Sequence, residues 1–132
     1  QPNAASGMTA NGKSTKALDL ANLVKVLGAD RVSVVDPYDL KATKNAFENG
    51  LTSPPGVEVI IAKRECALMI AKDRTQKPMR VDPETCGGCK KCMKRLGCAA
   101  LEYVENKTII SQGQCTGCGV CAQVCPTGAI GL

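Results

Sequence analysis

Eight of the nine cysteines in this 132-residue chain lie in two short runs near its end. In each run three cysteines are separated by two residues and a fourth follows, which gives Cys86, Cys89, Cys92 and Cys98, and then Cys115, Cys118, Cys121 and Cys125. This spacing lets one tight loop offer three thiolates to three corners of an iron–sulfur cube. Two such runs are typical of proteins that hold two [4Fe-4S] clusters and transfer electrons.

The fourth ligand of each cluster is expected to come from the opposite run, as it does in two-cluster ferredoxins. This exchange lets both loops close around a shared core. The second run, with three residues before Cys125 and then Pro126, fits the bacterial ferredoxin pattern, whereas the first has five residues before Cys98 and then Ala99. We therefore assign one cluster to Cys86, Cys89, Cys92 and Cys125, and the other to Cys115, Cys118, Cys121 and Cys98.

A zinc site and a disulfide framework are the alternative explanations for these cysteines. Zinc is held by four ligands, usually as two C-x2-C pairs, so a third cysteine in each run would have no role. Disulfides require an oxidising compartment, but the first thirty residues have no apolar signal-peptide core and the number of cysteines is odd. We expect a cytoplasmic protein, because reduced thiolates and oxygen-sensitive clusters suit a reducing compartment.

The composition limits the ways in which the chain can be stabilised. Its aromatic residues are Tyr38, Phe47 and Tyr103, so a conventional aromatic core is not available. The cysteine-rich part is therefore expected to depend on its metal for stability. The longest apolar stretches, such as residues 66–71, are far shorter than the roughly 18 residues of a membrane span, which predicts a protein outside the membrane.

The net charge of +5 does not by itself indicate nucleic-acid binding. Eight thiolates on two oxidised clusters would remove about four charges and leave roughly +1. Nucleic-acid binding also has little support because no aromatic residues alternate with the basic ones. A local basic group remains around the first run, and it either faces an acidic redox partner, raises the cluster potential slightly or is a solvated turn. It comprises Lys90, Lys91, Lys94 and Arg95.

The first half of the chain begins with residues 1–16, which are rich in Gly, Ser, Asn and Thr and favour an irregular loop. From Thr15 the pattern becomes helical, with Leu20, Leu23 and other apolar residues on one face. Gly28 is placed to end this helix.

A strand, a helix and a second strand are predicted next. The β-branched segment Arg31–Val35 predicts the first strand, Asp39 can cap the helix, and Asn49-Gly50 is expected to end it. The second strand is predicted over Val57–Ala62. This order implies a right-handed parallel βαβ unit. Because so small a unit leaves sheet edges and an apolar face uncovered, it is expected to be the end of a larger α/β domain.

The domain boundary is predicted near residue 78, after a charged connecting segment that begins at Lys72. Residues 79–132 are expected to form an α+β domain of the bacterial ferredoxin type. Within it, residues 101–104 and 108–110 predict a hairpin, and Arg80-Val81 and Ile130 are expected to pair as short outer strands.

The sequence resembles a known family over nearly its whole length: the C-terminal region of the alpha subunit of indolepyruvate ferredoxin oxidoreductase, a thiamine-diphosphate 2-oxoacid:ferredoxin oxidoreductase. The resemblance rests on residues 34–38 (VVDPY), on residues 59–68 (VIIAKRECAL) and on the first cysteine run through Leu96-Gly97-Cys98. The second run matches too, but many ferredoxins share it. Ala99 departs from the proline that the family usually places after this ligand.

The resemblance implies an enzyme that decarboxylates aryl pyruvates with coenzyme A and passes two electrons through the clusters to an external ferredoxin. Its thiamine diphosphate and magnesium would be bound upstream, so residues 1–78 are expected to be the closing part of the thiamine-binding domain. Implied partners are the rest of the alpha subunit and a second, beta subunit. We expect this chain to be a fragment or a piece of a cleaved subunit that is not catalytic alone.

Cys66, outside both runs, is expected to be a buried structural thiol, because it precedes an apolar stretch and the chain has no histidine to activate it. A contact with coenzyme A or another cofactor is the alternative. For the whole chain two other function classes stay open: a stand-alone two-cluster ferredoxin with an N-terminal extension, and a structural zinc module.

Overall fold

The computed structural model describes residues 3–67 and 77–132. The chain divides into two compact units, Gln1–Arg64 and Glu65–Leu132. The boundary expected near residue 78 stays a prediction, as does the connecting segment, since most of the segment lies outside the described residues. Most of the apolar stretch 66–71 lies outside the described residues as well.

The first unit starts with a short 3-10 helix, Ala4–Ser6, which Asn3 caps through its side chain. The helices and strands that follow are α1, Leu20–Val26; β1, Arg31–Val35; α2, Leu40–Thr52; and β2, Glu58–Ala62.

Both helices begin at an aspartate. The side chain of Asp19 accepts a hydrogen bond of 3.0 Å from the amide of Asn22, and Asp39 accepts one of 2.9 Å from Ala42. Such caps satisfy amides that have no partner inside the helix. The Asp39 cap was predicted, whereas Asp19 starts α1 later than the helical pattern from Thr15 suggested. α2 also continues past Gly50 to Thr52.

Strands β1 and β2 pair in parallel, with Arg31 opposite Glu58 and Val35 opposite Ala62. The Arg31 guanidinium donates to the Glu58 carboxylate across the pair at 2.6 Å. Helix α2 connects the two strands, so the strand order and the parallel pairing agree with the sequence prediction. Within this unit Phe47 is 55% exposed and Leu51 is 87% exposed, so part of the apolar surface of α2 has no cover in the unit itself.

Within residues 77–132 the second unit contains two short helices and two small antiparallel sheets. Its elements are β3, Arg80–Val81; α3, Lys91–Leu96; β4, Leu101–Val104; β5, Lys107–Ile110; α4, Val120–Val124; and β6, Ile130–Gly131. β3 pairs with β6, and β4 pairs with β5. The predicted outer pair and the hairpin are confirmed. Neither helix was predicted.

The centre of this unit is small and contains cysteines. Its buried members are Met79, Cys92, Leu101, Cys121 and Ile130. Two of these five are sulfur side chains from the cysteine runs, one on each helix. The packing of the unit is thus directly connected to the residues that are predicted to hold the clusters.

The prediction for Cys66 was wrong, because its side chain is exposed. Cys66 lies in the irregular stretch that follows β2, whose backbone belongs to no helix or strand. The expectation of burial rested on the apolar residues after Cys66, and most of those lie outside the described part of the chain.

Candidate metal centre

Four of the predicted ligands line one small cavity. Three of them, Cys86, Cys89 and Cys92, come from the first run, and the fourth, Cys125, comes from the second. The other residues that line the cavity are Val81, Gly87, Lys90, Thr108, Pro126, Thr127, Ala129 and Ile130. The cavity therefore brings together the four thiols that the crossed assignment gives to the first cluster.

The loop that carries the first three thiols is shaped by its own backbone. The amide of Cys86 donates to the carbonyl of Asp82 at 3.0 Å. The Asp82 carboxylate accepts from the Thr85 hydroxyl and from the Glu84 amide, and these bonds hold its pKa below the usual value. Lys90 has a φ of 59° immediately before α3. This left-handed residue turns the chain so that α3 starts directly and buries Cys92 in its first turn.

Side chains of the β4–β5 hairpin hold the same loop from the other side. The Tyr103 hydroxyl donates to the Gly88 carbonyl at 3.2 Å, and the Lys107 ammonium donates to the Cys86 carbonyl at 2.5 Å. The Lys90 ammonium lies 3.7 Å from the centre of the Tyr103 ring, a cation–π contact. The hairpin thus fixes the loop at both Cys86 and Gly88.

Two threonine hydroxyls lie beside cysteine sulfurs that line this cavity. Thr108 Oγ1 is 3.6 Å from Cys92 Sγ, and Thr127 Oγ1 is 3.6 Å from Cys125 Sγ. Burial acts to raise the pKa of the Cys125 thiol, but hydrogen bonds from the Thr127 hydroxyl and from backbone amides lower it below its usual value overall. A hydroxyl that donates to sulfur stabilises the thiolate form that iron requires.

In the second loop the Cys115 amide donates to the Ser111 carbonyl at 3.0 Å, and a sulfur atom also accepts hydrogen bonds. The amides of Met79 and Gly117 each donate to Cys115 Sγ at 3.4 Å. Burial, together with the neighbouring thiols of Cys118 and Cys115, raises the pKa of the Cys121 thiol to about 11. The three thiols of this run therefore lie close enough to oppose one another's ionisation, which a bound cation would relieve.

Cys98 is exposed and follows α3 and Gly97. Its assignment to the second cluster stays a prediction. Within residues 3–67 and 77–132, no three cysteine or carboxylate side chains come together closely enough to hold a single metal ion. A four-iron cube binds one thiolate at each corner, so its ligand sulfurs lie farther apart than the ligands of one ion.

Sequence reasoning missed the residues that support the cluster loops. These are Tyr103, Lys107, Thr108 and Thr127, together with the cap at Lys90. Thr127 could have been found from the sequence, because it follows Cys125 by two residues. Tyr103, Lys107 and Thr108 belong to the hairpin and contact the loop only in the folded structure.

Residues 108–131 match the family model of the 4Fe-4S binding domain (Fer4). The chain is also 36% identical over 53 residues to an uncharacterized ferredoxin of Methanocaldococcus jannaschii, covering 38% of this chain and 86% of that protein. With the cysteine geometry described above, these matches define the class: the chain belongs to the ferredoxin family through its second unit.

The whole chain is similar to a particular protein of this kind, the indolepyruvate oxidoreductase subunit IorA. It is 38% identical over 136 residues to IorA of Pyrococcus horikoshii, covering 98% of this chain and 21% of the relative. With IorA of Pyrococcus abyssi it is 39% identical over 133 residues, covering 96% of this chain and 20% of the relative. The resemblance stated from the sequence is thus confirmed, and the chain spans about one fifth of the length of these relatives. No helix in the described parts of the chain is long and apolar enough to cross a membrane.

Proposed function

We propose that this chain is the electron-transfer segment of an indolepyruvate oxidoreductase and that it holds two [4Fe-4S] clusters. The observation that carries the proposal is the cavity lined by Cys86, Cys89, Cys92 and Cys125. Cys125 belongs to the other cysteine run and is far along the chain from the first three, and the crossed assignment predicts that it shares one site with them. Similarity to IorA over 96–98% of the chain supports the choice of enzyme.

The cavity suits an iron–sulfur cube in the chemistry of its donors. Four thiols supply one ligand for each corner, and small or apolar residues such as Gly87, Val81 and Ala129 form much of the remaining wall. When bound, such a cluster accepts and releases one electron at a time. The chain's own residues orient the thiols, exclude water on the Ile130 side and place amide and hydroxyl donors near sulfur, which stabilises the reduced state.

The second cluster is assigned to Cys115, Cys118, Cys121 and Cys98. The mutual effect of the three thiols of the second run on the pKa of Cys121 supports their convergence. Amides from Met79 and Gly117 point at Cys115 Sγ, and such hydrogen bonds to a ligand sulfur tune a cluster's potential.

Residues 1–78 are proposed to be the closing part of a thiamine-diphosphate-binding domain. Two parallel strands with a connecting helix, and exposed apolar side chains on that helix, are features of a unit that is covered by further structure. In this proposal thiamine diphosphate and magnesium are bound by the rest of the alpha subunit. Coenzyme A, the 2-oxoacid, the beta subunit and an external ferredoxin are the other participants, in the cytoplasm.

The test is to isolate the native complex anaerobically and to assay this chain within it. We expect iron and sulfide for two four-iron clusters, an absorption band near 400 nm, and bleaching of that band when indolepyruvate and coenzyme A are added. Pyruvate with coenzyme A serves as a comparison substrate. Clusters that bleach with dithionite but not with any 2-oxoacid would contradict the choice of enzyme.

A stand-alone ferredoxin is the second candidate function. The match that covers 86% of a ferredoxin from Methanocaldococcus jannaschii favours it. The two candidate functions predict different partner proteins, because an oxidoreductase segment co-purifies with a thiamine-binding polypeptide and a second subunit. A carrier with an N-terminal extension is expected to purify without either.

A further inference from the structure

The charges of the ferredoxin-type region are confined to one half of it. Residues 79–107 contain six basic and four acidic side chains, whereas residues 108–132 contain none. The first cluster loop and α3 lie in the charged half, and the second cluster loop lies in the neutral half. The two loops that each supply three ligands therefore have different electrostatic surroundings.

Helix α3 presents three cations on one face. Lys91 and Lys94 are separated by three positions, and Lys91 and Arg95 by four, so the three side chains are neighbours on the helix surface. All three are exposed, and the opposite side of the helix buries Cys92. We define Lys91, Lys94 and Arg95 as the α3 basic face.

The α3 basic face has no partner within the described chain. Across residues 3–67 and 77–132 the ion pairs are Arg31–Glu58, Lys44–Glu48 and Arg64–Asp36, none of which involves α3. Like charges three and four positions apart destabilise a helix. The helix dipole favours Lys94 and Arg95 in the last turn and offsets part of this repulsion, and an acidic surface that binds there would relieve the rest.

The thiols on either side of α3, Cys89 and Cys98, are exposed, whereas Cys86 and Cys92 are buried. Cys89 and Gly87 are exposed, whereas Cys115 and Cys118 are only partly exposed. Cys89 lies two residues before Lys91 in the chain. A protein that docks on the α3 basic face therefore comes close to the first cluster, where the path for an electron is short.

We infer that the α3 basic face is the docking surface for an acidic one-electron carrier, which takes its electron from the cluster held by Cys86, Cys89, Cys92 and Cys125. This inference rests on the proposed function, because it requires that cluster. In each transfer the reduced cluster loses one electron and the acceptor gains one, and no bond is formed or broken. The electrostatic attraction raises the rate of encounter, and salt screens it.

The test uses the full complex, reduced photochemically so that no 2-oxoacid turnover is needed, and mixed rapidly with three oxidised acceptors. These are an acidic two-cluster ferredoxin, a strongly basic cytochrome c and a small neutral quinone. The variant combines Lys91→Glu, Lys94→Glu and Arg95→Glu. We expect its rate with the acidic ferredoxin at low salt to fall by about 10- to 100-fold, its rate with cytochrome c to rise, and its rate with the quinone to stay unchanged.

A matched control combines Lys13→Glu, Lys16→Glu and Lys41→Glu, which changes the net charge equally at exposed lysines of the first unit. An equal loss of rate in this control, or an unchanged rate in the α3 variant, would overturn the docking surface. An equal fall with the neutral quinone would overturn it as well, because it would reveal a damaged cluster. Failure of the proposed function is separate: a complex without clusters transfers to no acceptor, and one that ignores 2-oxoacids still reports on docking after photoreduction.

Discussion

The two cluster loops have the same cysteine spacing and nearly the same backbone, yet different interactions support them. In each loop a glycine with positive φ, Gly88 or Gly117, precedes the second cysteine, and a left-handed residue, Lys90 or Gly119, precedes a short helix. The first loop is held by two side chains of the β4–β5 hairpin, Tyr103 and the cationic Lys107. The second is held by amides that donate to Cys115 Sγ. The spacing thus sets the position of the thiols, while the surroundings set the charge near each loop.

The largest expected difference between the two sites follows from the crossed ligands. We expect Cys125→Ser to remove the cluster of the first run and Cys98→Ser to remove the cluster of the second run, each with loss of about half of the absorption near 400 nm. Electron paramagnetic resonance of the reduced variants identifies which signal is lost. Cys66→Ser is the control, and it should keep both signals because Cys66 is outside both runs. Loss of the same signal in the Cys125 and Cys98 variants would contradict the exchange.

A second comparison uses the glycines of the loops. A Cβ at position 88 would lie 2.2 Å from the Asn106 carbonyl oxygen, at a residue with a φ of 64°. At Gly119 the φ is 73°, but no atom is within 4 Å of the added Cβ. We therefore expect Gly88→Ala to lower the free energy of unfolding by about 3 kcal/mol and Gly119→Ala to lower it by about 1 kcal/mol.

The measurement is the temperature at which the 400 nm absorption is lost on heating. Gly87→Ala is the matched control, because its φ is not in the left-handed region and its added Cβ meets nothing within 4 Å. If Gly119→Ala lost its clusters at a lower temperature than Gly88→Ala, the close approach of the hairpin to the first loop would not exist in solution.

The cationic support of the first loop gives a third comparison. Lys107→Met removes the hydrogen bond to the Cys86 carbonyl but keeps much of the side-chain volume. We expect this change to lower the free energy of unfolding by about 2 kcal/mol. Removing a positive charge also lowers the reduction potential of the first cluster and leaves that of the second nearly unchanged. Redox titration followed by electron paramagnetic resonance separates the two. Equal shifts at both clusters would show that Lys107 does not act locally.

The smallest effect is expected at Lys90, where the second loop has Gly119. Lys90→Gly removes the strain of a left-handed backbone, which stabilises the protein by about 1 kcal/mol. The same change loses the cation–π contact with Tyr103, which destabilises it by about 0.5–1 kcal/mol. The two changes nearly cancel, so the heating midpoint should hardly move. Lys90→Ala keeps the strain and loses the contact, so its midpoint should fall. If the heating midpoint fell equally in both variants, the left-handed backbone at position 90 would carry no strain.

The comparison also shows how far the sequence predicts this molecule. Local signals were sufficient for β1, for the Asp39 cap of α2, for the hairpin and for the pairing of Val81 with Ile130. The burial of Cys66 was predicted wrongly, because adjacent apolar residues do not fix where one thiol lies. The helices α3 and α4 were missed because they are only one to two turns long and carry no hydrophobic period.

The contacts that hold the first loop could not be predicted from the sequence, for a different reason. Lys107 and Tyr103 reach Cys86 and Gly88 only after the hairpin has formed and turned toward the loop, so their role is set by tertiary structure. Cysteine spacing has no such dependence, because iron–sulfur coordination itself dictates it. The thiols around the first cavity could therefore be named in advance, whereas the side chains that hold them could not.

The central claim is that two crossed sets of four thiolates each bind a four-iron cluster. Its most direct test is Mössbauer spectroscopy with iron and sulfide determination on the anaerobically isolated protein. Two [4Fe-4S] clusters per chain, distinguishable after partial reduction, is the predicted result. A colourless protein that contains zinc in place of iron, or a single cluster that Cys98→Ser and Cys125→Ser both abolish, would contradict the account.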